Sequence, residues 1–217
     1  MGIWLLKYLK YTAYIELVFK PTHLKWEFFS DTDHGRTDTL LGRTIMAHNG
    51  FLGGCLVVWS SVLHKETAHN KIGSETFGND KTAKAITDQK TIINDHCATT
   101  IDYKCLSNTM KSITDITTTG IGMGITQDGP RPIYSDSEGS VKLTYNLVIA
   151  RRSRHINIPY MYLRQSIAKR ESVLILIGLL FNNADMGTKP LYFTAHKRHR
   201  DACGYVLPYE TAKYGSS

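Results

Sequence analysis

The sequence predicts an α/β protein, and three observations lead there. Short runs of apolar, β-prone residues recur at 24–30, 51–60, 132–135 and 173–181. Stretches with apolar residues at helical spacing stand before and between them, at 3–13, 138–149 and 160–169. Hydrophobic residues make up 42% of the 217 residues, which is enough to build a core around such elements.

Taken in order, the run IWLLKYLKYTA at 3–13 places leucines at helical spacing with lysines between them, a short amphipathic helix. Pro21 closes the segment that follows. LKWEFFS at 24–30 alternates as a strand and runs into Asp31. Residues 32–50 are polar and turn-rich. FLGGCLVVWS at 51–60 predicts a second strand region with a bend at Gly53-Gly54, and Trp59 is expected in the core.

Residues 74–89 read as a weak helix, with Ser74 as N-cap and Glu75 in the first turn, where the helix dipole favours an acid. Residues 91–130, rich in threonine and containing GIGMG at 120–124, predict an irregular insertion. No apolar strand and helix flank that glycine run as a phosphate loop requires. PIYS at 132–135 is a strand leading into Asp136; 138–149 and 160–169 are helical; 173–181 is a buried strand; Asn183-Ala184-Asp185 opens a last segment.

Several function classes drop out on composition. The longest apolar run, 173–181, is far shorter than the ~18–20 residues of a membrane-spanning helix. Lys7 and Lys10 break the apolar start, and no signal-peptide cleavage site follows. Cys55, Cys97, Cys105 and Cys203 are too far apart for a zinc knuckle, and ordinary reduced thiols are expected. The 26 Lys+Arg against 19 Asp+Glu give +7, which suits a polyanionic partner without specifying one. Two basic clusters, ARRSRH at 150–155 and HKRHR at 196–200, are solvated faces or phosphate contacts.

Four acids fall where elements begin or end: Asp31, Glu75, Asp136 and Asp185. Dispersed, they are solvated carboxylates and caps. Gathered, they repel one another and call for a hard divalent cation such as Mg²⁺ or Mn²⁺. A pair of such ions can activate a water and stabilise the leaving oxygen of a phosphodiester.

The words around these acids occur in the order of one family. Leu6-Lys7-Tyr8-Leu9-Lys10 is similar to "RYLKGT", and Phe29-Ser30-Asp31-Thr32-Asp33 to "YSDAD". Gly50-Phe51, Leu52-Gly53-Gly54 and Trp59-Ser60-Ser61 follow "SGYVFxLGGGxISWSSKKQ", and Ser74-Glu75 stands for "SSTEAEY". Ile133-Tyr134-Ser135-Asp136 resembles "IYEDNQGAI". Arg152-Ser153-Arg154-His155-Ile156-Asn157-Ile158, with Tyr160 and Leu163-Arg164, resembles "RTKHIDIRYHFIRE". Ala184-Asp185 with Thr188-Lys189-Pro190-Leu191 resembles "ADIFTKPL". Over about residues 4–195 the chain thus resembles the ribonuclease H region of copia-type retrotransposon Pol polyproteins.

The resemblance implies an RNase H-like fold, helices around a mixed sheet, at 23–195, with an irregular insertion at about 91–130. Residues 1–22 would be the end of a reverse transcriptase with its linker, and 196–217 a basic tail. It implies cleavage of the RNA strand of RNA–DNA hybrids with two Mg²⁺ (or Mn²⁺) ions. Asp31 would bridge the ions, Glu75 and Asp136 complete one site, and Asp185 help hold the other. Arg151, Arg152, Arg154, His155 and Arg164 would contact the nucleic acid, with His155 capping or packing rather than catalysing. The expected setting is intracellular (cytoplasm, virus-like particle or nucleus), with a reverse transcriptase encoded elsewhere as a partner and with no membrane, haem or nucleotide cofactor.

The departures are specific. Thr-Glu-Ala-Glu-Tyr is replaced by Ser74-Glu75-Thr76-Phe77-Gly78, His34 replaces a Trp, and Ser137-Glu138 replaces Asn-Gln. No His lies in 171–184, before the last acid. Two readings follow: an active hybrid nuclease, or a catalytically inactive nucleic-acid-binding remnant.

Overall fold

The computed structural model describes residues 2–33, 43–67, 102–145 and 157–207. Its centre is a five-stranded mixed sheet in the order β4-β3-β2-β5-β6. Strands β2 (Trp26–Asp33), β3 (Arg43–Leu52) and β4 (Cys55–Thr67) form an antiparallel meander. β5 (Arg131–Ser135) and β6 (Ser172–Leu176) continue it in parallel from β2.

The alternation of β2 decides how the sheet is covered. Trp26, Phe28 and Ser30 point to one face, Phe29 to the other. On the first face, Trp26 and Phe28 join Ile133 and Leu174 from the parallel strands. Helix α2 (102–122) packs there through Tyr103, Leu106, Met110 and Ile113, all at most 1% exposed. Helices α3 (Glu138–Tyr145) and α4 (Asn157–Ala168) complete this layer, with Leu163 fully buried. On the second face Phe29, Phe51 and Leu56 meet Met186, Cys203 and Tyr205. The 3₁₀ segment Asn183–Gly187 and helix α5 (Phe193–Ala202) form that cover.

Several expectations change. Residues 43–50, read as polar and turn-rich, are strand β3, where Thr44, Met46, Ala47 and Asn49 are buried against neighbours. Pairing with β2 on one side and β4 on the other satisfies a backbone whose side chains carried little β signal. Gly53 and Gly54, with φ of +62° and +81°, are the two-residue hairpin turn between β3 and β4. At Gly53 a Cβ would lie 2.1 Å from the His23 carbonyl oxygen, so both the left-handed backbone and the close approach require glycine.

The largest change is at 91–130. Residues 102–122 are not irregular but the longest described helix. Its threonines explain why local preference misleads. Thr109, Thr114, Thr117 and Thr118 donate their hydroxyls to the carbonyls of Cys105, Met110, Ile113 and Thr114. These bonds satisfy side chains that otherwise favour non-helical backbone, and the buried apolar stripe supplies the rest. GIGMG is the helix end: Gly124 has φ +81° and Ile125 N–H returns to the Gly120 carbonyl at 2.8 Å.

Strand β6 stops at Leu176, and Leu179, Leu180 and Phe181 are 55–65% exposed beyond it, not the end of a buried strand. The backbone instead turns at Gly178, where Phe181 N–H reaches its carbonyl at 2.8 Å. Trp59 is 63% exposed on edge strand β4 rather than in the core. Residues 196–207, expected in a tail, form most of α5 and strand β7 (Tyr205–Val206). β7 pairs with β1 (Glu16–Leu17), tying the segment after helix α1 (Gly2–Thr12) to the C-terminal residues. The predicted helix at 74–89 lies outside the described residues.

Ile133 tests the sheet-to-helix core. It is fully buried on the central parallel strand. Ile133→Ala is expected to cost about 2–5 kcal/mol, read as a lowered midpoint in urea with an unchanged slope.

Candidate functional site

The parallel pair β2–β5 carries the site at its C-terminal end. Register places Ser30 opposite Ser135, so Asp31 and Asp136 follow side by side on adjacent strands. Asp31, Asp136 and a third acid, Asp102, line one small polar pocket with Ser30, Thr32, Cys105, Ser135 and Ser137. Asp102 stands at the start of α2, and Asp185 comes from the opposite face on the 3₁₀ segment. The field of Asp185 reaches both Asp31 and Asp136; that of Asp102 reaches Asp136.

Each carboxylate has an internal partner. Thr188 Oγ1 donates to Asp31 Oδ2. Thr32 Oγ1 donates to Asp102 Oδ1, and Ser137 Oγ donates to Asp102 Oδ2 at 2.5 Å. Lys189 Nζ pairs with Asp185 Oδ1. Asn182, fully buried, donates its amide to the Ser30 carbonyl at 3.0 Å and to Asp136 Oδ1 at 3.1 Å. Its own side-chain oxygen accepts from Ala184 N–H at 3.3 Å, so one amide joins β2, Asp136 and the Asp185 segment.

The segment is fixed from behind as well. Asn49 Nδ2 donates to the Asn183 carbonyl at 2.9 Å, and Ser61 Oγ to that of Gly187 at 2.6 Å. A Cβ on Gly187 would stand 2.8 Å from that of Ala47, so only glycine lets the segment lie this close to β3.

Burial and like charge set the electrostatics. Burial pushes Asp31 up from its ordinary 3.8 to about 7, with Asp136 and Asp185 adding to it while Thr188 and Lys189 oppose it. Asp136 is also raised, by burial first and then by Asp102 and Asp185, against the pull of its own backbone N–H and Asn182. Burial by itself would lower Lys189. The Asp185 hydrogen bond and the fields of Asp31, Asp185 and Asp136 hold it above its ordinary value. Cys105 is buried beneath the pocket, bonded to Ser30 Oγ and donating to the Asp31 carbonyl; burial pushes its thiol up to about 12. Burial thus keeps the thiol protonated.

The sequence-predicted residues divide accordingly. Asp31, Asp136 and Asp185 come together. Glu75, Arg151, Arg152, Arg154 and His155 lie outside the described residues. Arg164 is committed to the fold: Nε and Nη2 donate to the carbonyls of Thr144 and Leu143, each at 3.1 Å, at the end of α3. Glu138 is exposed and paired with Lys142 at 2.5 Å, so solvent screens its charge. In HKRHR, His199 is buried with Nδ1 on Asn183 Oδ1 at 3.2 Å, and burial lowers its pKa against the opposing pull of Asp185.

Asp102 and Asn182 were missed. The signal for Asp102 was present: Asp102-Tyr103 opens a stripe continued by Leu106, Met110 and Ile113. Thr99-Thr100-Ile101-Asp102-Tyr103 also keeps the acid-then-Tyr ending of "TEAEY" better than Ser74-Glu75-Thr76-Phe77-Gly78 does.

Hard carboxylate oxygens from four elements fit Mg²⁺ or Mn²⁺ by donor chemistry, and like charge from neighbouring carboxylates adds to burial in raising Asp31 and Asp136. Among the described residues, no group of three or more His, Cys, Asp or Glu side chains is arranged to hold a metal as it stands. Their oxygens are turned to Thr188, Thr32, Ser137, Asn182 and Lys189. No described helix is long and apolar enough to cross a membrane.

Comparison with protein-family models, with curated proteins and with solved structures finds no match.

A pH dependence follows for the metal-free protein. Between 3.8 and about 7 folded Asp31 binds a proton more tightly than the unfolded chain does, so its contribution to stability falls as pH rises through this window. Above about 7 the contribution is level. Asp31→Asn is expected to remove this part of the slope and to raise the melting temperature relative to wild type most at neutral pH. Thermal unfolding in EDTA across that range checks it, and parallel curves for the two proteins contradict it.

Proposed function

We propose that the chain is an RNase H-like, metal-dependent ribonuclease acting on RNA–DNA hybrids, of the copia-type retrotransposon kind. One observation carries this reading: Asp31, Asp102 and Asp136, from a strand end, a helix start and a neighbouring strand end, line one pocket, with Asp185 acting on two of them. A strand order in which an antiparallel meander continues into two parallel strands, with the acids at the ends of the adjacent β2 and β5, supports it.

In this reading Asp31, Asp136, Asp102 and Asp185 would hold the metal; Asp102 takes the place first given to Glu75. A bound divalent ion supplies an activated water and charge stabilisation for a phosphodiester. The chain's own residues do the positioning. Asn182 orients Asp136, Thr188 orients Asp31, and Thr32 with Ser137 fixes both oxygens of Asp102. The basic residues at 150–155 attract the phosphate backbone, and recognition of the RNA strand falls to its 2′-hydroxyls.

A second reading, a nucleic-acid-binding remnant without catalysis, is favoured by the commitment of every site carboxylate to an internal partner. One assay separates the two. A labelled RNA–DNA hybrid with Mg²⁺ or Mn²⁺ is expected to lose its RNA strand to wild type and, with Asp136→Asn or Asp102→Asn, to be cut roughly a hundredfold more slowly. Cleavage undiminished by either change removes that residue from the site. Salt-sensitive binding without cleavage leaves the remnant reading in place.

A further inference from the structure

The acid cluster contains its own cation. Thr188 and Lys189 are consecutive: the hydroxyl of the first donates to Asp31 Oδ2, and the ammonium of the second pairs with Asp185 Oδ1. Thr188 N–H and hydroxyl both also return to the Asp185 carbonyl, at 3.3 and 3.1 Å, fixing the turn that brings the ammonium back. Asp185 and Lys189 are four apart, but this is no solvated surface pair, since the two side chains are only 7% and 26% exposed. The ammonium also lies within the fields of Asp31 and Asp136, so it interacts with carboxylates from three separate elements.

We propose that Lys189 is the resident counter-ion of this site: its ammonium holds the carboxylates together without a divalent ion and competes with such an ion for them. The inference rests on the metal-dependent reading above and concerns how the site is regulated. Three carboxylates, Asp185, Asp31 and Asp136, act on one ammonium here, so a single positive charge does not match theirs when all are ionised, and binding of a divalent cation is opposed but not prevented. Monovalent charge inside the fold thus sets the concentration of free ion at which the site fills. It also lets the carboxylates pack without metal at a cost the fold tolerates.

The test is Lys189→Gln, which keeps a hydrogen-bond donor for Asp185 and removes only the charge, with Lys189→Arg retaining it. Calorimetric titration with MnCl₂ alone and thermal unfolding in EDTA are measured on the full chain. Lys189→Gln is expected to melt below wild type in EDTA and to bind Mn²⁺ roughly tenfold more tightly. Lys189→Arg should stay close to wild type. If the Gln variant does not fold without metal, Mn²⁺ should restore it, and failure to do so overturns the proposal. Binding by wild type with equal or weaker binding by Lys189→Gln overturns it while leaving the metal-dependent reading intact. No binding by either protein removes both.

Discussion

Two carboxylates, Asp31 and Asp136, stand on adjacent parallel strands with most of their hydration removed, and the rest of the site is organised around the cost of that placement. Parallel pairing of β2 with β5 fixes their neighbourhood before any side-chain choice is made. Burial and like charge then push both away from the ionised form. Thr188, Asn182 and Lys189 offset part of this, and all three belong to the stretch that enters and leaves the Asp185 segment. Two strand ends and one short segment therefore depend on one another electrostatically.

Asn182 shows how closely site and fold are joined. Its amide bonds to a strand carbonyl, a site carboxylate and the turn that presents Asp185, with no exposure to solvent. An unpaired amide there would cost more than the hydrogen bonds contribute, so the three elements hold their positions together. Gly187 acts similarly through space: the lack of a Cβ lets the same segment approach Ala47 on β3. Helix α2 completes the arrangement from the other face, bringing Asp102 to the pocket because Tyr103, Leu106, Met110 and Ile113 lock its register on the sheet.

The legible parts of the sequence were those with strong local pattern. Strands β2 and β5, helices α1, α3 and α4, and the turn at Gly53-Gly54 follow from alternation, helical spacing and glycine. Three of the four acids now gathered, Asp31, Asp136 and Asp185, stood out through their places at element ends. Helix α2 was obscured by threonines whose hydroxyls find i−4 carbonyls only once the helix exists. Asp102 was lost with it. Strand β3 was obscured because its β character comes from pairing on both edges rather than from its residues.

The sequence by itself determined a mixed α/β chain with a basic balance and carboxylates at element boundaries, because periodicity and composition are local properties. Only the tertiary structure decided which carboxylates share a pocket, that Arg164 holds a helix end, and that Lys189 enters the acid cluster. The physical reason is common to all three. Burial, like-charge repulsion and the pairing of polar groups depend on what stands beside a residue in space, and residues 31, 102, 136 and 185 become neighbours only when the parallel strands, the helix and the 3₁₀ segment close on one sheet.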